Sequence, residues 1–214
     1  MDLARYLSLL QSSALHFARV DQMADRWEGA YGSANINARP IMYGEDFEQM
    51  RHVFPQLRQA SRTLVNINCW HMSEVESAAM WSIYQRDGRG VAVVSTWGKL
   101  TSSIIDQRSV YGTAVRYVDY ETTLIPESSL FQPLLHKRQS FSHEQEVRLL
   151  TLGSGEGPAP VVLPVVVNLK ELITEVRVAP DAPSWFADVV RDATTRYGQD
   201  FDVNQSSLGV DPID

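Results

Sequence analysis

Along this chain, short stretches alternate apolar and polar residues with period two, and a few longer ones follow a helical period. Clusters of Gly, Pro, Asp and Asn separate them. Runs rich in β-branched and aromatic residues predict strands at 14–19, 63–69, 91–95, 111–117, 146–152, 161–167, 174–178 and 201–204. Helices are predicted over 45–60, 98–106, 133–141, 169–173 and 183–198. Pro55 is expected to kink or end the first, Pro133 and Pro183 to open theirs, and Gly198 to close the last. Residues 21–38 read as a loop. The clearest local signal is Ser73-Glu74-Val75-Glu76, which has the form of a capping box with Ser73 as N-cap. It predicts a helix through Met80, Trp81, Ile83 and Tyr84 that stops at Asp87-Gly88. Residues 153–157 form a Gly-rich turn, a hinge rather than a domain boundary. Strands and helices interspersed without strict alternation predict an α+β fold. The expectation is a single domain over 1–205, with a mixed or antiparallel sheet, flanking helices and a flexible tail at 206–214.

Composition narrows the class. The 214 residues are 44% hydrophobic and include five tryptophans, enough to fill one sizeable core. No apolar run approaches the roughly 20 residues that span a bilayer, and Met1-Asp2-Leu3-Ala4-Arg5 lacks the basic start of a secretory signal. Cys69 is the only cysteine, so an internal disulfide is excluded. A cytoplasmic protein without membrane attachment is expected. A cysteine-rich zinc site is excluded and no His-Glu-x-x-His stands in for one, so no metal is expected. The net charge of −7 opposes broad binding to nucleic acid. Local basic clusters such as His136-Lys137-Arg138 leave a nucleotide or a nucleic-acid end open as ligand or acceptor. Phosphate-loop and nucleophile-elbow motifs are absent.

Candidate chemistry lies in four segments. On a strand, Glu144, Glu146 and Arg148 point to one face. Two carboxylates and a guanidinium there can hold a polar substrate and stabilise developing positive charge; the same row also fits a solvated face with an ordinary ion pair. His71, between a strand and the capped helix, can act as acid, base or hydrogen-bond donor, or simply cap backbone groups. Trp81 and Tyr84 share a helix face and either stack on a planar ring or pack in the core. Arg5-Tyr6 interrupts an apolar segment of leucines, where an arginine reaches an anion or snorkels to water.

Four segments together resemble a large bacterial family of domains of unknown function, some of whose members are labelled abortive-infection (phage-resistance) proteins. They are Arg5-Tyr6; Asp25-Arg26-Trp27-Glu28-Gly29; Cys69-Trp70-His71 with the run from Glu76 to Tyr84; and Lys137-Arg138 with Phe141-Ser142-His143-Glu144-Gln145-Glu146-Val147-Arg148. The resemblance covers nearly the whole chain; Arg26 departs from it, standing where the family usually carries proline. It implies an order of elements and no established reaction.

The order of a basic residue on a first strand, an aromatic-bearing middle and a late Glu-x-Glu strand is similar to ADP-ribosyltransferases. That similarity implies NAD as substrate, gripped by Arg5, with Trp81 or Tyr84 flanking the nicotinamide, Glu146 as the catalytic carboxylate and Glu144 orienting the acceptor. From the residues themselves, Tyr6 and Arg148 join the expected NAD-binding set and His71 the catalytic one. The implied function is an NAD-dependent ADP-ribosyltransferase or NAD glycohydrolase acting as a bacterial defence or toxin effector, with a cognate antitoxin or defence partner. The alternatives are a non-enzymatic binding module (an antitoxin or sensor) and a hydrolase of nucleotides or nucleic acid.

Overall fold

The computed structural model describes residues 1–85, 88–153, 156–210 and Pro212. The helices are α1 (Leu3–Ser12), α2 (Ser33–Tyr43), α3 (Phe47–Met50), α4 (Val53–Leu64), α5 (Ala78–Tyr84), α6 (Trp97–Ser102), α7 (Leu169–Leu172) and α8 (Ser184–Arg196). The strands are β1 (Ala14–Arg19), β2 (Val65–His71), β3 (Val91–Val94), β4 (Tyr111–Ala114), β5 (Arg116–Val118), β6 (His136–Arg138), β7 (Glu146–Leu152), β8 (Val162–Val166), β9 (Glu175–Val178) and β10 (Val203–Gln205). The sheets are mostly antiparallel with flanking helices, so the α+β expectation holds. The chain divides into two compact units: Met1–Leu15, Ser73–Gln107 and Pro164–Asp214 form unit 1, and His16–Met72 with Arg108–Leu163 form unit 2.

Unit 2 is built on a sheet of order β4-β7-β2-β1-β8, the unit boundaries falling within β1 and β8. β7 is its centre, paired antiparallel with β2 along seven residues, from His71 opposite Glu146 to Val65 opposite Leu152. Every residue from Glu146 to Thr151 is buried, because β4 and β2 flank the strand and both its faces are covered. Val20, Val65, Ile67, Leu134 and Leu150 form an apolar cluster on one side. Residues 111–117, predicted as one strand, split: β4 joins the large sheet, while β5 pairs in parallel with β6.

Unit 1 holds a sheet of order β10-β9-β3 with α1 and α8 among its helices. Asp2 caps α1 by accepting a hydrogen bond from the Arg5 amide at 2.8 Å. The α1 and α8 side chains meet where Tyr6, fully buried, bonds Thr194 at 2.7 Å between hydroxyl oxygens.

Several predicted elements are corrected. The N-terminal segment is a helix, not a strand, so Arg5 sits on α1. The predicted 21–38 loop gives way to α2 at Ser33; that helix buries Asn35 and contains Pro40, so no apolar stripe advertises it. Residues 45–60 form α3 and α4 with a break at 51–52, and Pro55 lies in the first turn of α4, where a missing N–H costs nothing. Residues 133–141 hold a 3-10 turn at 132–134, then β6, then a 3-10 stretch at 139–144, since backbone pairing with β5 takes 136–138. Helix α5 starts one turn later than predicted, with Ser77 as its cap accepting from the Met80 amide at 3.3 Å. The predicted stop at Asp87 and the turn residues Ser154 and Gly155 lie outside the described residues.

Candidate functional site: a buried charge network in unit 2

β7 carries Arg148 into the interior with no solvent exposure. A guanidinium in that position requires carboxylates to match it. Glu28 supplies one, in a bidentate pair with Nη1 to Oε1 at 2.5 Å and Nη2 to Oε2 at 2.9 Å. Glu146, two residues before Arg148 on the same strand face, supplies the other: Nε donates to its Oε1 at 2.8 Å and Nη2 to its Oε2 at 3.1 Å. The Leu134 carbonyl accepts from Nη1 at 2.5 Å.

Glu28 reaches this position because its loop is tightly folded. The Asp25 carboxylate accepts from the Trp27 amide at 3.0 Å, and Gly29 turns the chain at φ 70°, a left-handed conformation that suits glycine. Arg138 holds the loop from outside, 3.0 Å from Asp25 and with its guanidinium 5.5 Å from the centre of the Trp27 ring.

β6 adds Lys137, whose ammonium lies between two carboxylates. It pairs closely with Glu144 and donates to Glu146 Oε2 at 3.2 Å. Glu144 is not on the strand, as the alternation predicted; it ends the 3-10 stretch, and Gln145 at φ 40° turns the backbone into β7. Lys137 restores the proximity of the two carboxylates that the strand does not. His71 donates from Nδ1 to the Glu144 carbonyl at 2.6 Å, while its buried Nε2 has no hydrogen-bond partner among the described residues. The Tyr117 hydroxyl oxygen accepts from the Glu146 amide at 2.7 Å. Cys69, opposite Arg148 in register, is exposed as a whole residue, but its thiol is turned to Glu146, and burial with the Glu146 charge pushes it well above the ordinary thiol range.

The electrostatics follow from this geometry. Burial alone would raise the Glu146 carboxyl, but the hydrogen bonds and charge of Arg148 outweigh it and hold the group below the ordinary carboxylate range. Burial would likewise lower Lys137, yet Glu144 and Glu146 hold its ammonium well above the usual lysine value. Burial also raises the Tyr117 phenol. Three carboxylates (Glu28, Glu144 and Glu146) against two cations (Lys137 and Arg148) leave one negative charge in the network. Glu146 accepts from the Lys137 ammonium and twice from the Arg148 guanidinium across both oxygens, with the Cys69 thiol as a further donor. Glu144 differs: its side chain keeps 15% of its surface exposed, and among the described residues its Oε1 accepts no hydrogen bond.

Of the residues singled out from the sequence, Glu144, Glu146, Arg148 and His71 therefore meet in unit 2. Arg5, Tyr6, Trp81 and Tyr84 belong to unit 1, so neither unit alone holds the expected set. Arg5 is exposed beside Asp2. Tyr6 is a core residue. Trp81 is buried and donates from its indole to Glu76 at 3.0 Å, whereas Tyr84 is 55% exposed, so the two do not present one common face. Glu76 is not a helix cap; besides Trp81 it holds Ser206 and lies 3.4 Å from Arg177. Glu28 was legible only as a member of the resembling segments, and Lys137 there and in the basic cluster His136-Lys137-Arg138; no local pattern in the sequence assigns them to Arg148 or to Glu146.

The quoted segments thus supply Glu28, Lys137, Glu144, Glu146 and Arg148 to one network, with Arg138 paired to Asp25 beside it. No family model, no curated protein and no solved structure matches this chain.

Proposed function

We propose that unit 2 carries a carboxylate site for cleaving the glycosidic bond of a nucleotide, the chemistry of an NAD glycohydrolase or ADP-ribosyltransferase, with Glu144 as the working carboxylate. One observation carries this reading: the network keeps one uncompensated negative charge, and its accessible carboxylate oxygen is on Glu144. When the bond between the ribose and the nicotinamide nitrogen of NAD breaks, its electron pair leaves with the now neutral nicotinamide. The ribose is left with oxocarbenium character. A fixed carboxylate at the edge of a water-poor region stabilises that charge more strongly than water does. Glu146 takes the supporting part in this reading, since its acceptor positions are occupied by Arg148 and Lys137. Loss of cellular NAD suits the abortive-infection label carried by some members of the family that the chain resembles.

The filled acceptors of Glu146 also favour a second reading, in which the network only fastens the Asp25–Gly29 loop and the unit is a binding module. Nicotinamide release separates the two. With NAD at millimolar concentration and nucleotide or nucleic-acid acceptors supplied, the unmutated protein is expected to release nicotinamide. Glu144→Gln, which keeps an acceptor beside Lys137, should abolish release while leaving NAD affinity nearly unchanged, because the interaction strengthens in the transition state. No release by the unmutated protein would promote the binding module.

A further inference from the structure

A second feature of unit 2 lies outside this network. A cleft of about 740 Å³ opens beside α2, α3 and α4. Three aromatic rings line it, Tyr31, Phe47 and Phe54, together with Arg51, Arg58 and Arg62. Phe54, Arg58 and Arg62 are spaced by four along α4, so one stripe of that helix faces the cleft. That spacing is the signal in the sequence that points to it.

A fourth guanidinium, Arg39, belongs to the wall. It pairs with Glu127 at 3.0 Å, and its guanidinium carbon lies 4.0 Å from the Phe54 ring centre and 5.2 Å from that of Tyr31. Burial pushes the Tyr31 phenol up to about 12, so the ring stays neutral. The other cations are differently placed. Arg51 makes a 3.7 Å surface pair with Glu48. Arg58 gives one 3.4 Å hydrogen bond to the Arg26 carbonyl, and Arg62 one of 2.5 Å to the Glu28 carbonyl. Among the described residues, no carboxylate lies within the 4.0 Å of an ion pair from either Arg58 or Arg62.

In a chain of net charge −7, this cleft concentrates positive charge against aromatic surface. Guanidinium groups match phosphate oxygens through paired hydrogen bonds. Aromatic rings with a stacked guanidinium form a flat face for a planar base. A bare anion has no use for the aromatic wall, and a polymer needs a basic track that the overall charge opposes. The cleft volume is in the range of small-molecule sites, roughly 300–1,000 Å³.

We propose that this cleft binds a nucleoside di- or triphosphate, its base against the Tyr31–Arg39–Phe54 wall and its phosphates on Arg58 and Arg62. The site stands independently of the carboxylate chemistry. Calorimetry with ADP, ATP, adenosine, pyrophosphate and a short oligothymidylate tests it. ADP and ATP should bind saturably in the micromolar range, and adenosine and pyrophosphate each about tenfold or more weaker. Arg58→Ala, which removes only an exposed side chain and one long hydrogen bond, should weaken ADP about tenfold with an unchanged thermal midpoint. Phe54→Ala should weaken ADP and leave pyrophosphate unaffected. Glu144→Gln should bind ADP like the unmutated protein, whether or not nicotinamide is ever released. The proposal is overturned by absent nucleotide binding at millimolar concentration, by ADP affinity indifferent to Arg58→Ala, by pyrophosphate binding as tightly as ADP, or by the oligonucleotide binding more tightly than ADP.

Discussion

Arg148 and Glu28 are 120 residues apart in sequence and joined by two parallel hydrogen bonds in the interior. A pair of this kind contributes little over a well-packed apolar pair, but removing one partner strands the other charge without water. Glu28→Ala is therefore expected to destabilise the protein by about 3–5 kcal/mol in urea unfolding. Glu28→Leu combined with Glu146→Leu and Arg148→Met should recover much of that loss, because no buried charge is then left alone. If the single and triple variants unfold at the same urea concentration, the cost lies in packing and not in charge. At this scale the sequence placed Glu146 and Arg148 on one strand face correctly, since alternation along a strand is a local property. It offered a solvated face as one reading, and the structure buries that face. The difference arises from Glu28 and Lys137, which come from a loop and a distant short strand and carry no periodic signal.

Among elements, legibility followed how local the determinant was. Strand β7 has the predicted bounds, and β1, β3, β9 and α8 lie within about two residues of theirs, because alternation and flanking Gly or Pro mark them in the chain. Helix α2 escaped because the side chain it buries is the carboxamide of Asn35, bonded to the Ile125 backbone in both directions at 2.7 and 2.9 Å. The start of α5 was displaced because Glu76, which a capping box would turn back on its own helix, is drawn to Ser206, Trp81 and Arg177. The difference is measurable. Ser77→Ala removes the side chain that accepts from Met80 and should cost about 1 kcal/mol in urea unfolding. Ser73, whose hydroxyl oxygen accepts from the Val75 amide at 3.3 Å and from no other donor among the described residues, should cost no more than about 0.5 kcal/mol when changed to Ala. The reverse order of losses would restore Ser73 as the cap.

For the whole molecule, the network contributes at both ends of the pH range to how stability responds to pH. The Glu146 carboxyl is held below its ordinary value of 4.5 in the folded chain, so its contribution is complete above that value and is lost as pH falls through the lower, folded value. The Lys137 ammonium is held above its ordinary value of 10.5, so its contribution is complete below that value and is lost as pH rises through the higher, folded one. Between the two the contribution is flat. The thermal midpoint should therefore fall at both ends of the pH scale around a broad plateau. Lys137→Met isolates the network from the other titrating groups. Removing the ammonium leaves Glu144 and Glu146 facing each other with only Arg148 to compensate, so the plateau should drop. The part of the alkaline fall that belongs to Lys137 should vanish, and the acid fall should begin at higher pH, because two crowded carboxylates take up a proton more readily than a paired one. Midpoints measured by circular dichroism across the pH range on both proteins decide the point. An unchanged alkaline limb in the variant would mean that other groups set it, and that the ammonium between Glu144 and Glu146 contributes nothing to the pH range in which the fold survives.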